Sequence, residues 1–373
     1  MIFKKELNVT EEAQYKVAAA GVVADEPACM PALTKAANGD LLVAFSTEWE
    51  PMPWGGVLKL TASRDQGKSW SEPRILWQDD DPQATIHVGN GMTTLTTGEI
   101  LLPVTRCVVP KRRGVSSEEQ CPAKVYDLAD PNKSYEVYLL RSRDHGRTWA
   151  RERPDPALPW LHFGRLLETR DGRLIMPGEG WYVESRDFGR TWGPKVMLGV
   201  PTDFNETNIV EAADGTWFAV MRQDGGMERP RRTFGTTFSG DGGKTWEEWR
   251  WTDVIGKMPD FPVLPSGRIL MAVGGEGLST VKAHAVPDRL SFATLFYSDD
   301  HGRTWIRDLP FAQAEPGTRI CPCDGPVLCP LDDGSVLAVL QAIDLSKKDH
   351  PLYTFSVGMS IIANVIVPTQ EGA

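Results

Sequence analysis

One octapeptide recurs five times along the chain, and this repeat constrains the fold more than any other feature of the sequence. The copies are SRDQGKSW from position 63, SRDHGRTW from 142, SRDFGRTW from 185, SGDGGKTW from 239 and SDDHGRTW from 298. In the pattern S-x-D-x-G-x-[ST]-W, Asp and Ser/Thr can bond backbone amides of a tight turn, and Gly can adopt a positive φ. A calcium loop of the EF-hand type would need more acidic ligands and a closing Glu. The octapeptides are therefore predicted to be hairpin staples.

A second unit, two short β-like runs joined by a Gly-containing turn, recurs six times. The copies begin at Pro31, Gly89, Gly164, Thr207, Pro262 and Pro326. Each copy has the signature of a β-hairpin, and copies one to five are each followed by an octapeptide. Two strands plus a further pair carrying the octapeptide make a four-stranded unit, which predicts an all-β, six-bladed β-propeller formed by residues 1–373 as one domain.

Two further features concern the ring. The second unit has an excess of roughly 30 residues, and the Pro- and charge-rich segment at about 106–135 is predicted to be an inserted loop. The sixth unit has no octapeptide, so the ring is expected to close by pairing strands from the two chain ends. The N-terminal MIFKKELNV or the segment after it would supply one of these strands.

The charge and the apolar runs limit the class of partner. Lys and Arg number 40 against 50 Asp and Glu, which gives a formal net charge of −10 and makes nucleic acid or an anionic membrane a poor partner. The sequence shows no signal-peptide pattern and no long apolar span, so a cytoplasmic location is expected. We expect no cofactor and a small-molecule ligand, and the sequence leaves the oligomeric state open.

The five octapeptides resemble the Asp boxes, or BNR repeats, of the sialidase (neuraminidase) superfamily, from about Pro31 to about Leu340. The resemblance implies a propeller with Asp boxes on the turns between third and fourth strands, at the end away from the active site. It places the site at the axis, where each innermost strand begins and each second strand ends. This end of the propeller is called the mouth below.

The resemblance also implies roles for individual positions. In NETNIVEAADGTWFAVMR, Glu206 is similar to the Glu that partners the family's nucleophile, and Arg222 is similar to its second carboxylate-binding Arg. Arg289 could stand for the third Arg. The catalytic positions otherwise diverge: Cys29 stands where the first Arg belongs, and neither the general-acid Asp nor the nucleophilic Tyr has a counterpart. Because Cys29 cannot replace a charged guanidinium fork, the expected substrate is a sugar without the sialic acid carboxylate or a sugar bound in another pose.

Polar groups from all six units are expected to converge on the mouth. The predicted catalytic carboxylates are Glu206, Asp260, Glu48 and Asp324. The predicted substrate-binding residues are Arg222, Arg289, Arg106, Arg165, His87, Asn90, His162 and Glu276.

These residues support a sialidase-like, exo-acting glycoside hydrolase that cleaves a terminal sugar with two carboxyl groups. The alternative is a non-catalytic glycan-binding or scaffold propeller. A third hypothesis is a zinc site formed by Cys29, Cys321 and Cys323 beside His87, against the more ordinary interpretation of reduced, buried thiols. No metal is predicted among the site residues.

Overall fold

The description of the chain comes from a computed structural model. It covers residues 13–26, 28–47, 57–81, 84–89, 91–108, 134–160, 164–202, 204–223, 233–274, 293–312, 320–344 and 359–369. Throughout these ranges the regular structure is β-strand, and no helix there is long and apolar enough to cross a bilayer.

The strands form six antiparallel sheets, which are the six blades of the propeller. The first strand in the chain, β1 (Tyr15–Ala24), belongs to the last blade. Blade one holds β2 (Ala28–Lys35), β3 (Leu41–Thr47), β4 (Val57–Ser63) and β5 (Arg74–Gln78). Blade two holds β6 (Ala84–Val88), β7 (Thr93–Thr94), β8 (Ile100–Val108), β9 (Ser134–Ser142) and β10 (Ala150–Glu152). Blade three holds β11 (Leu167–Glu168), β12 (Leu174–Pro177), β13 (Trp181–Ser185) and β14 (Val196–Met197).

Blades four to six continue the same order. Blade four holds β15 (Phe204–Glu211), β16 (Trp217–Gln223), β17 (Thr233–Ser239) and β18 (Arg250–Ile255). Blade five holds β19 (Lys257–Asp260), β20 (Ile269–Gly274), β21 (Ala293–Ser298) and β22 (Ile306–Ala312). Blade six holds β23 (Ile320–Pro330), β24 (Val336–Asp344) and β25 (Met359–Pro368), with β1 as its outermost strand. The predicted six-bladed propeller is confirmed.

The ring closes between the two ends of the chain. Strand β1 pairs antiparallel with β25, with Tyr15 opposite Pro368 and Gly21 opposite Ala363. The predicted closure therefore uses the segment after MIFKKELNV, while residues 1–9 themselves lie outside the described part. The predicted insertion is shorter at both ends than its bounds of 106 and 135, because β8 runs to Val108 and β9 begins at Ser134. Residues 109–133 lie outside the described ranges.

Among the described residues, six large apolar clusters form the core, one at each contact between neighbouring blades, and Cys107 and Tyr135 form a small separate cluster. All seven residues of LLVAFST in β3 are buried, because a middle strand of a blade is covered by a neighbouring blade on each face. The same holds for β17 and β21. Packing between blades, rather than within one blade, therefore buries most of the apolar surface.

The octapeptides form the turns between the third and fourth strands of blades one to five, as predicted. In blade two, Ser142 Oγ accepts a hydrogen bond from Gly146 N at 2.8 Å and donates to Asp144 Oδ1 at 2.9 Å. Asp144 in turn accepts from Thr148 N at 2.8 Å and from Thr148 Oγ1 at 2.6 Å. Equivalent bonds join the Ser, Asp, Gly and Ser/Thr of the other four copies. The interpretation as hairpin staples is confirmed.

The Asp-box glycines also bring each blade close to the one before it. Gly146 has φ +81°, and a Cβ placed on it would lie 2.5 Å from Leu42 Cδ1 of blade one. Only glycine satisfies both the left-handed conformation and this approach.

Candidate functional site

Blade four brings an acidic and a basic side chain together at the mouth. Glu206 is the third residue of β15 and Arg222 is the sixth of β16, so the antiparallel hairpin places both near its mouth-side end. Arg222 Nε lies 3.0 Å from Glu206 Oε2 and donates to Asn205 Oδ1 at 3.1 Å. Glu206 is buried, with 6 % of its surface exposed, and also accepts a hydrogen bond from Met258 N at 2.9 Å. The carboxylate is thus held by groups from two blades.

Four innermost strands share an irregularity at this level. In each, one extra residue interrupts the register with the second strand, between Cys29 and Ala32, Asn205 and Asn208, Lys257 and Asp260, and Asp324 and Val327. Each of these β-bulges contains a residue with positive φ: Met30 at 55°, Glu206 at 41°, Met258 at 46° and Gly325 at 60°. Left-handed backbone at a non-glycine residue costs about 1–3 kcal/mol, and such strain concentrates at functional sites.

The bulges turn backbone N–H groups towards the neighbouring blade. Met258 N donates to Glu206 of blade four, and Met30 N donates to Gln341 Oε1 of blade six at 3.0 Å. Between blades five, six and one the surroundings are apolar, because a Cβ on Gly325 would lie 3.7 Å from both Met258 Sδ and Pro31 Cδ. The mouth-side end of blade four therefore carries a charged pair, while Gly325 of blade six packs against apolar groups of blades five and one.

Deeper in the channel, a second ion pair crosses the axis from blade three to blade five. Arg165 donates from Nε to Asp260 Oδ1 at 2.9 Å and from its terminal nitrogen to Asp260 Oδ2 at 2.7 Å. Asp260 Oδ2 also accepts from Leu328 N of blade six, and the carboxylate is fully buried. Burial is the largest single effect and would lower the pKa of Arg165, but the charge of Asp260 and the hydrogen bonds to it together outweigh burial, and the pKa is raised.

Arg106 belongs to a third cluster, between blades one and two. Its Nε lies 2.7 Å from Asp79 Oδ2, and Asp81 and Glu136 are within 3.5 and 3.7 Å of its terminal nitrogens. The hydrogen bond from Arg106 lowers the pKa of Asp79, and the same bond raises the pKa of Arg106. This guanidinium is thus committed to carboxylates of its own and the preceding blade.

The other predicted site residues are only partly described. His87 is buried in β6 of blade two. Asp324 lies in β23, but its side chain is outside the described part. Glu48, Arg289, Asn90, His162 and Glu276 lie outside the described residues altogether. Their roles stay predictions.

The zinc hypothesis also falls largely outside the described part. The side chains of Cys29, Cys321 and Cys323 are not among those described. Cys107 and Cys329 are both buried, and burial raises the pKa of Cys329 to about 11. No cluster of three or more His, Cys, Asp or Glu able to hold a metal occurs among the described side chains.

Sequence reasoning missed Met258 and Asn208, which contact the predicted residues. The available signal was a proline directly after the left-handed residue in three bulges, at Pro31, Pro259 and Pro326. Proline inside a sheet is found at bulges because it cannot donate to the ladder.

Solved structures with similar folds include two classes of carbohydrate-active protein. A protein of unknown function from Dyadobacter fermentans is 18 % identical, with 95 % of this chain and 99 % of that chain covered and a TM-score of 0.68. The intramolecular trans-sialidase of Ruminococcus gnavus, in complex with oseltamivir carboxylate, is 13 % identical over 94 % of this chain and 96 % of that one, with a TM-score of 0.60. The α-L-arabinanase of Penicillium chrysogenum, complexed with arabinobiose, is 16 % identical over 93 % and 98 %, with a TM-score of 0.53.

These likenesses confirm the sialidase-type propeller, a fold used by glycoside hydrolases. No significant sequence relative was found among curated proteins. The model of the BNR repeat-like domain matches residues 12–254, which is more than half of the chain. The protein therefore belongs to the BNR repeat-like domain family.

Proposed function

We propose that the protein is an exo-acting glycoside hydrolase that binds a terminal, uncharged sugar at the mouth and uses Glu206 as its ionised carboxylate. The observation that carries this proposal is the Glu206–Arg222 pair, which a bulged strand and the Met258 N–H hold at the mouth-side end of blade four. An ionised carboxylate can stabilise the cationic character that develops at the anomeric carbon, or activate a water molecule.

Hydrolysis of a glycoside needs a second carboxyl group, because the leaving oxygen must receive a proton as its bond to the anomeric carbon breaks. Asp260 is a poor donor, since its buried carboxylate is occupied by Arg165 and Leu328 N. Glu48 and Asp324 are the predicted alternatives, and we propose them as candidates for the proton donor.

Two observations favour a sugar without a carboxylate. Each described arginine among the predicted binding residues already contacts a carboxylate: Arg222 contacts Glu206, Arg165 contacts Asp260, and Arg106 contacts Asp79. An additional anion would gain little from a guanidinium that is already neutralised. The arabinanase fold neighbour, which is complexed with arabinobiose, gives a neutral sugar as a precedent.

The test is a panel of nitrophenyl and methylumbelliferyl glycosides that includes α-L-arabinofuranoside, other neutral sugars and the α-sialoside. We expect cleavage of a neutral glycoside and a loss of about 100-fold or more in kcat/KM for Glu206→Gln. Glu247→Gln is the matched control, because Glu247 also pairs with an arginine, Arg303, but in the Asp-box region.

Three outcomes decide between the hypotheses. Undiminished activity in Glu206→Gln would remove Glu206 from the mechanism. Preferential cleavage of the sialoside would overturn the neutral substrate class. Saturable sugar binding without turnover of any glycoside would identify the alternative, a non-catalytic glycan-binding propeller.

A further inference from the structure

Residues 258–260 of blade five are fixed at three successive points. Met258 N donates to Glu206 Oε2 at 2.9 Å. Pro259 O accepts from Asn208 Nδ2 at 2.8 Å. The Asp260 carboxylate binds Arg165 and accepts from Leu328 N at 2.7 Å. Blades three, four and six therefore all contribute to the position of this short segment.

Asn208 connects these contacts. It lies two residues after Glu206 on β15 and is 5 % exposed. Its amide oxygen accepts from Arg165 N at 2.8 Å, while its amide nitrogen binds Pro259 O. One buried side chain thus ties the strand that carries Glu206 both to the segment that donates to Glu206 and to the arginine that anchors this segment.

The anchoring matters because Met258 is left-handed, with φ 46°. A non-glycine residue leaves this conformation unless its surroundings hold it there. If φ of Met258 relaxes, the peptide before Met258, which carries its N–H, turns relative to the anchored residues 259 and 260, and Glu206 loses a hydrogen bond that favours its ionised form.

Asn208, Arg165 and Asp260 are the side chains that fix this segment. They line a cavity of about 440 Å³ together with residues such as Thr34, Thr94 and Glu211. Thr34 and Glu211 lie at the ends of innermost strands that are remote from the mouth. This arrangement suits groups that act through Met258 better than groups that contact the sugar.

We propose that Asn208, supported by the Arg165–Asp260 pair, is a positioning residue that keeps the Met258 N–H directed at Glu206 and so keeps Glu206 ionised for its role at the mouth. The proposal rests on the proposed function only for its consequence in catalysis. The contact that it explains can be tested without a substrate.

The experiment follows the Glu206 carboxyl group by carbon NMR in full-length protein labelled at glutamate side chains, with the signal assigned by its loss in Glu206→Gln. In Asn208→Ala we expect the midpoint of this titration to rise by about half a pH unit or more, because a donor to the ionised form is weakened while Arg222 stays. Asn364→Ala is the matched control, since it removes a buried asparagine from β25 of blade six. It should leave the midpoint in place.

Arg165→Lys is the second variant, and it decides the question if Asn208→Ala does not fold. It keeps a positive charge near Asp260 but loses the two-pronged contact, so a smaller rise is expected. An unchanged midpoint in natively folded Asn208→Ala and Arg165→Lys would overturn the proposal. So would an equal rise in Asn364→Ala.

Where a cleaved glycoside is found, the acid limb of the pH–rate profile should move in the same direction, and kcat should fall more than KM changes. Retained activity in Glu206→Gln together with a shifted titration would reject the proposed function and leave the positioning role standing. An unshifted titration together with an inactive Glu206→Gln would reject the positioning role and leave the proposed function standing.

Discussion

Arg165 of blade three and Asp260 of blade five meet across the propeller axis through two hydrogen bonds of 2.9 and 2.7 Å, with the carboxylate fully buried. Removing one partner leaves the other charge without compensation in a poorly solvated place. We expect Arg165→Met and Asp260→Asn each to lower the free energy of unfolding by about 3 kcal/mol or more, measured by urea denaturation. The double variant should lose less than the sum of the two single changes. Additive losses would show that the two side chains do not depend on each other.

The Asp-box serine satisfies backbone groups inside a turn. Ser142→Ala removes the acceptor for Gly146 N and the donor to Asp144, and we expect a loss of about 1–2 kcal/mol in unfolding free energy. Ser266→Ala in an exposed turn of blade five is the control, and it should change stability by less than about 0.5 kcal/mol. Equal effects of the two substitutions on denaturant midpoints would contradict the staple role.

Two glycines with similar φ values allow the free-energy cost of backbone strain to be measured separately from that of close packing. Gly39 has φ +89° and nothing within 4 Å of an added Cβ, whereas Gly146 has φ +81° and Leu42 at 2.5 Å. Gly39→Ala should cost about 1 kcal/mol from conformation alone. Gly146→Ala should cost about 1–3 kcal/mol more, because the buried Leu42 side chain must leave its rotamer or blades one and two must separate. The measurement is the difference between their urea-unfolding free energies, and a difference near zero would refute the packing argument.

The Asp boxes also predict a dependence of stability on pH. Hydrogen bonds from the Thr148 side chain and backbone lower the pKa of Asp144 to about 2, and similar bonds hold Asp65 and Asp241 near the same value. Because the folded pKa lies below the unfolded one, the stabilisation is present above about pH 4 and is lost as the pH falls towards 2.

The check is thermal unfolding of wild type and Asp144→Asn between pH 2 and 6. The variant should have the lower Tm at pH 6, and the gap should close near pH 2, where the wild-type carboxyl is becoming protonated. A gap that stays constant over this range would mean that the Asp144 charge plays no part.

The sequence predicted the architecture well because the relevant signals are local and repeated. A Gly-containing hairpin and an Asp box each form within a few residues, so six copies of one and five of the other identify the blades without knowledge of their packing. The Glu206–Arg222 pair could also be predicted, since both residues belong to one hairpin.

The contacts across the axis could not be predicted from the sequence in the same way. Arg165 and Asp260 are 95 residues apart, and Met258 contacts Glu206 through a backbone N–H, which no side-chain pattern reveals. The bulges at Met30, Glu206 and Met258 depend on a left-handed conformation that methionine and glutamate do not favour. Their positions follow from the assembled ring rather than from local preference.

The closure of blade six has a consequence for the order of events during synthesis. Thr369 Oγ1 donates to Ala13 O, a pair 356 residues apart, and β1 finds its partner only when β25 has left the ribosome. At about 5–20 residues per second this takes tens of seconds. During that interval β1 must stay soluble without a sheet, although its run VAAAGVV carries no charge. Closure of blade six therefore cannot precede synthesis of β25, so the ring stays open until its last strand has been made.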